Sequence, residues 1–170
     1  MDLKKEIREI PDYPKKGINF KDITTLFKNK EAIKYVTSVI SEKFKEKGIT
    51  KVMGLEARGF IFGGALANEL DAGFVPVRKK GKLPCEIVSE TYELEYGNDS
   101  VEMHIDALSK DDVVLIHDDL LATGGTIKAV SDLVKAQKAV IAGVAFLVEL
   151  KFLKGKNKLK DLPVYSLIKY

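Results

Sequence analysis

Residues Val114–Thr126, VLIHDDLLATGGT, decide how this chain reads. The β run Asp112–His117 (DVVLIH) leads into two acids, Asp118 and Asp119, and DLLATGGT reads as a loop before a helix from Ile127 to about Lys138. A buried strand, a loop of small hydroxyl and glycine residues, then a helix together put a phosphate cradle at the C-terminal edge of a parallel sheet, where α/β proteins bind ligands. Gly124 and Gly125 carry no Cβ, so the backbone turns tightly and its successive amides form an anion nest. The helix start adds unpaired N–H groups and a partial positive charge. Thr123 and Thr126 offer hydroxyl donors. The acids repel a phosphate, so they face other donors, ribose hydroxyls or a bridging cation. An ordinary strand–loop–helix turn uses its glycines for geometry alone, and the DD pair argues against that reading. A P-loop is excluded, because no Lys follows the glycines.

Outward from this stretch, short apolar strands alternate with helices. Upstream, Lys51–Leu55 (KVMGL) is a buried strand, followed by the turn EARGF and a helix to about Leu70; Phe74–Arg78 (FVPVR) is a further strand. Asn29 is an N-cap candidate for a helix with Ile33, Val36, Ile40 and Phe44 on one face, stopped at Gly48. Downstream, Val140–Val148 and Val164–Ile168 are strands. The alternation predicts an α/β domain with a mainly parallel central sheet flanked by helices. Asp2 is expected to cap a first helix carrying Leu3, Ile7 and Ile10, ended by Pro11. Lys79–Pro84 is a basic loop, and Glu86–Glu95 can pair with Val101–Ile105 as a hairpin across Tyr96–Ser100.

The 170 residues suit one domain, and no repeat, low-complexity tract or linker divides them. An apolar share of 45% is enough for a packed core without staples. A single cysteine, Cys85, makes a reducing cytoplasm the expected compartment, and with only two histidines, His104 and His117, a structural zinc site is not expected. The N-terminal MDLKKEIREIPDYP lacks the apolar stretch of a secretory signal, and no apolar run approaches the ~20 residues of a membrane helix. A net charge of +3 is too mild to imply nucleic-acid binding. Neither a membrane nor a nucleic acid is expected as a partner.

VLIHDDLLATGGT resembles the 5-phosphoribosyl-1-pyrophosphate motif of type I phosphoribosyltransferases, in the form carried by the adenine-using family. The likeness runs through PDYPKKGINFKDIT, GLEARGFIFGGALA, VRKKGKLP, YELEYG, DDLLATGGT and VAFLVEL, in the family's order. It implies the type I phosphoribosyltransferase fold in a single domain, 1–170, with a small base-binding N-terminal hood (1–30) and a β-hairpin-like mobile lid (83–100). The implied reaction transfers the 5-phosphoribosyl group to adenine, giving AMP and pyrophosphate in purine salvage. One departure is His117, where the family usually has an aliphatic residue. It reads either as a hydrogen-bonded core imidazole or as a titrating group near the site.

The resemblance implies a 5′-phosphate in Ala122, Thr123, Gly124, Gly125 and Thr126, with Asp118 and Asp119 on the ribose hydroxyls. Hypoxanthine–guanine relatives carry an acid at the position of Ala122, near the base's N7, so alanine argues against a 6-oxopurine. Xanthine-type relatives share the alanine but usually depart from TGGT. Adenine would lie between Phe20 and Leu120. The carbonyl of Asn19 would accept from its exocyclic amine, and the N–H of Lys21 would donate to N1. The family commonly has Arg at Lys21, so a side-chain role there stays open.

For the diphosphate, the resemblance points to Arg58 in EARGF, whose planar fork matches phosphate oxygens, beside a strained or cis Glu56–Ala57 bond. The bland alternative is a surface ion pair of Arg58 with Glu56. In RKKGKLP, Lys82 and Lys79 would contact pyrophosphate, and Arg78 would reach the neighbouring subunit's site in a homodimer. Within the lid, Glu95 would handle the purine proton and Tyr96 contact the ligand; a merely exposed Glu95 is the competing reading. The catalytic set is thus Glu95, Asp118, Asp119 and Arg58. Mg²⁺ is expected, held mainly by substrate without direct protein ligands. Two other functions fit the same chain: a xanthine or guanine phosphoribosyltransferase, or a non-catalytic nucleic-acid-binding regulator on this fold. The basic run KFLKGKNKLK lends the regulator some support, although such runs usually form solvated faces.

Overall fold

The computed structural model describes residues 1–93 and 97–170. In chain order the elements are β1 (Arg8–Ile10), β2 (Phe20–Asp22), α1 (Lys30–Phe44), β3 (Lys51–Leu55), α2 (Gly59–Glu69), β4 (Gly73–Lys79), β5 (Ile87–Glu93), β6 (Asn98–His104), β7 (Val113–Leu121), α3 (Gly125–Ala136), β8 (Val140–Glu149) and β9 (Val164–Lys169), with short 3₁₀ turns between them. A seven-stranded sheet runs β5-β6-β4-β3-β7-β8-β9. Strands β4, β3, β7, β8 and β9 are parallel, and β6 and β5 extend the β4 edge as an antiparallel hairpin. The expected α/β architecture with a mainly parallel sheet is what forms.

Parallel strands covered on both faces must be apolar throughout. Accordingly Val114, Leu115 and Ile116 of β7 and Val144–Val148 of β8 are buried without alternation. One face packs on α3 through Ile127, Val130, Leu133 and Val134. The other packs on α1 and α2 through Val36, Ile40, Phe62 and Leu66. Asn29 caps α1, its Oδ1 accepting from the amides of Glu31 at 3.0 Å and Ala32 at 3.3 Å.

Three expectations need correction. Asp2 does cap a helical turn, but only the 3₁₀ turn Leu3–Glu6; Arg8–Ile10 is a strand, with Ile10 opposite Phe20. Pro11 drives the residue before it into extended backbone, and the pairing with β2 uses that geometry. Second, β7 runs on through the acids to Leu121, because β8 extends to Glu149 and offers Phe146, Val148 and Glu149 as partners for Asp118, Leu120 and Leu121. Only Ala122–Gly124 remain as the connecting turn before α3, which starts two residues earlier than expected, at Gly125. Third, Asn98, Asp99 and Ser100 belong to β6 and not to the hairpin turn, pairing with Glu93, Tyr92 and Thr91.

Candidate active site

The site forms where the C-terminal ends of β3, β4 and β7 meet the starts of α2 and α3. Helix α1 is capped by a side chain, whereas α2 and α3 start without any side-chain cap hydrogen bond. The first amides of a helix have no intrahelical acceptor; at α2 those of Phe60 and Ile61 turn back onto the Ala57 and Arg58 carbonyls, so it is the α3 start that presents donors and partial positive charge to whatever lies before it. At α3 this is reinforced by Gly124, whose φ of 79° is left-handed. Thr123 is exposed, and Ala122, Gly125 and Thr126 are partly so. The turn thus faces outward with donors for an anion.

Behind it stand the acids. Asp119 is 7% exposed, and its Oδ2 lies 2.8 Å from Arg58 Nε. The approach is a charge contact without hydrogen-bond alignment, so that buried oxygen has no hydrogen-bond partner among the described residues. Asp118 Oδ1 accepts the Asp119 amide at 2.9 Å. Burial, and then the adjacent Asp119 charge, push the Asp118 carboxyl well above the usual carboxylate range, and Arg58 offsets this only in part. Two adjacent carboxylates at a low-dielectric strand end attract neutral donors such as hydroxyls, and they repel a phosphate.

Arg58 connects the acids to the N-terminal segment. Its guanidinium carbon sits 5.8 Å from the centre of the Phe20 ring, and Tyr13 meets that ring edge-on at 5.3 Å. A cation over an aromatic face at such a site contributes about 0.5–1 kcal/mol. Lys21 turns its ammonium onto Glu9, 4.3 Å from the centre of the Tyr170 ring. Asn19 Nδ2 donates to the same Glu9 at 2.9 Å. Leu120 is half-buried and packs with the core on the α1–α2 side.

On the β4 side, the Glu56–Ala57 peptide bond is cis, as expected. Glu56 receives the Arg78 fork, from Nε at 3.1 Å and Nη2 at 3.2 Å, and the Lys79 amide at 3.1 Å. The Arg78 bonds hold its carboxyl below the usual range. Glu56 is therefore the partner of Arg78; Arg58 pairs with Asp119. Arg78 Nη1 also donates to the Lys82 carbonyl at 2.8 Å, while the Lys82 side chain is exposed. Lys79 Nζ pairs with Asp99 Oδ2 at 3.1 Å, and Tyr92 donates to the same oxygen at 3.3 Å. A cavity of about 20 Å³ bounded by Glu56, Arg78, Lys79, Tyr92 and Thr126 joins this cluster to the turn. Glu95 and Tyr96 lie outside the described residues.

The structure thus gathers Phe20, Arg58 and Asp119 in one set of contacts and sets Lys79 and Thr126 around one small cavity. Glu9, Tyr92 and Asp99 received no role from the sequence: they are polar residues in strands, and although Tyr92 opens YELEYG, nothing local joins it to Asp99. Sequence reasoning also missed Gly155, whose carbonyl oxygen would lie 2.5 Å from a Cβ on Gly124. Its signal was a glycine inside an otherwise basic run.

A family model for the phosphoribosyl transferase domain matches residues 22–168. The chain is 55% identical over 170 residues to the adenine phosphoribosyltransferase of Clostridium acetobutylicum, covering 100% of this chain and 99% of that protein. It superposes with a TM-score of 0.95 on the adenine phosphoribosyltransferase of Thermoanaerobacter pseudethanolicus, at 49% identity and covering 99% and 98% of the two chains. The enzyme of Saccharomyces cerevisiae, solved with an imino-altritol bisphosphate and adenine, gives a TM-score of 0.93 at 40% identity, covering 98% and 96%.

Proposed function

The chain belongs to the phosphoribosyl transferase family and, within it, to the adenine phosphoribosyltransferases, and from that premise we propose how its own residues carry out the transfer. It is an enzyme that moves the 5-phosphoribosyl group from 5-phosphoribosyl-1-pyrophosphate to adenine, releasing AMP and pyrophosphate. The observation that carries the site reading is the uncapped start of α3 behind Ala122–Gly124, with Asp118 and Asp119 near the end of the strand that leads into it.

The 5′-phosphate sits on the amides and hydroxyls of Ala122–Thr126. Ribose hydroxyls donate to Asp118 and Asp119, whose buried oxygens favour neutral donors. Adenine stacks between Phe20 and Leu120 and is read by backbone groups of Asn19 and Lys21. Backbone reading is supported by the commitment of both side chains to Glu9. Hypoxanthine, with an oxo group and N1–H in place of the amine and N1, leaves those groups unpaired, a strong basis for rejection. Arg58, Lys79 and Lys82 contact the departing pyrophosphate, and residues 83–100 close over the centre, bringing Glu95 to the purine proton and Tyr96 to the ligand.

Displacement at the ribose C1 passes through an oxocarbenium-like state. Orientation of the base and neutralisation of the leaving group lower its barrier. The expected metal is a magnesium ion that arrives with substrate, because Mg²⁺ prefers phosphate and water oxygens to all-protein cages. When bound, Mg²⁺ neutralises charge on the diphosphate through phosphate and water oxygens. A homodimer, with Arg78 near the neighbouring site, and residence in a reducing cytoplasm, which suits the exposed free thiol of Cys85, complete the reading.

The test is a product assay with each purine, phosphoribosyl pyrophosphate and Mg²⁺. AMP forms from adenine alone, and chelation of the metal abolishes it. Phe20→Ala raises KM for adenine roughly 5- to 150-fold, the equivalent of ~1–3 kcal/mol of base stacking. Asp119→Ala lowers kcat/KM by about a hundredfold or more. Full activity in both variants would refute the site assignment.

A further inference from the structure

The anion turn has an electrostatic deficit. A 5′-phosphate brings close to two negative charges, yet Ala122–Thr126 contain no cation and two acids precede them. The nearest lysine on α3, Lys128, is tied to Asp132 in an i,i+4 ion pair. Arg58 is held by Asp119 and Lys79 by Asp99. One cation near the turn remains uncommitted. Lys158 Nζ lies 4.0 Å from where a Cβ on Gly125, the first residue of α3, would sit. No carboxylate of the described residues lies within ion-pair distance of it.

Its position is built. Lys158 belongs to the 3₁₀ turn Gly155–Leu159, which is anchored at three points. Leu159 is 2% exposed in the core. Lys156 pairs with Glu149, at the end of β8, at 3.1 Å. Gly155 is in backbone contact with the anion turn itself, so close that a Cβ there would lie 2.2 Å from the Ala122 carbonyl oxygen. A cleft of about 210 Å³ opens beside the start of α3, lined by Lys158 and Gly125 with Tyr92 and Lys128. The carboxylates facing it are Glu90 and Glu93 of β5 and the already paired Asp132.

We propose that Lys158 is a 5′-phosphate-binding residue of this enzyme, supplying the cation that the anion turn lacks from the far, C-terminal part of the chain. The inference rests on the transferase reading above. It assigns a role to part of the basic run that the sequence left as a solvated face.

Lys158 is exposed, so substitution leaves the core intact. The probes are ribose 5-phosphate and pyrophosphate, titrated separately into the full-length protein, with steady-state kinetics alongside. Lys158→Gln weakens ribose 5-phosphate about ten- to a hundredfold, the loss expected for one charged hydrogen bond. It raises KM for phosphoribosyl pyrophosphate by a similar factor and leaves pyrophosphate affinity and KM for adenine unchanged. Lys158→Arg recovers most of the loss. Unchanged ribose 5-phosphate affinity in Lys158→Gln overturns the inference while leaving the transferase reading standing. Equal weakening of both probes also overturns it, because that reports a general disturbance. Failure of the unsubstituted protein to make AMP sinks the transferase reading, and the inference with it.

Discussion

His117 lies 0% exposed inside the sheet, edge-on to Phe62 with ring centres 6.3 Å apart. Neither ring nitrogen has a well-formed hydrogen bond among the described residues. Burial brings its pKa down to about 4, and the Ala145 backbone counters this only weakly. Of the two readings open from sequence, the core imidazole holds, neutral near pH 7 but without the expected hydrogen bond. A His whose pKa is lower folded than unfolded favours the folded state while neutral. Its contribution is therefore fully present above the unfolded value of about 6.5 and is lost as pH falls towards 4. The full effect approaches ~3 kcal/mol, from 1.36 kcal/mol per pKa unit. His117→Val, which fits a central strand, should flatten the fall in unfolding free energy between pH 6.5 and pH 4. Denaturant melts at several pH values measure this, and parallel slopes in the two proteins would count against it.

Helix starts show how far local sequence reaches. Asn29 advertised its cap and makes it, and the glycines at 124 and 125 advertised an open start and form one. What holds that open start in shape was not advertised. Gly155 packs so tightly that an alanine Cβ would meet the Ala122 carbonyl oxygen at 2.2 Å and Leu121 Cδ1 at 2.9 Å. Backbone cannot swing aside as a flexible side chain does, so Gly155→Ala must displace the anion turn. Overpacking of this kind costs ~1–3 kcal/mol. The expected result is a lower Tm and a roughly tenfold or greater rise in KM for phosphoribosyl pyrophosphate, with KM for adenine little changed. A lower Tm with both KM values unchanged would mean that the contact serves stability alone. The hairpin makes the same point: Asp99 was read as part of a turn, yet as a β6 residue it joins Lys79 to Tyr92 beside the anion turn.

At the scale of the whole molecule, the homodimer reading predicts a light-scattering mass about twice the 18.9 kDa of one chain. A single-chain mass at working concentration would remove the shared role assigned to Arg78. That side chain already binds Glu56 and the Lys82 carbonyl within its own chain, so any reach towards a neighbour draws on a fork engaged at home. The sequence alone determined the parallel α/β sheet, the strand–turn–helix with its glycine-rich, uncapped start and the acid pair before it. Hydrophobic period, glycine freedom and helix-start donors are properties of contiguous residues, so they can be read locally. Tertiary structure alone decided that Arg58 pairs with Asp119, that Lys21 turns to Glu9, that β7 continues through its acids and that Gly155 and Lys158 back the anion turn. Each of these depends on which strand ends and loops the closed sheet brings together, and neighbouring residues carry no record of that.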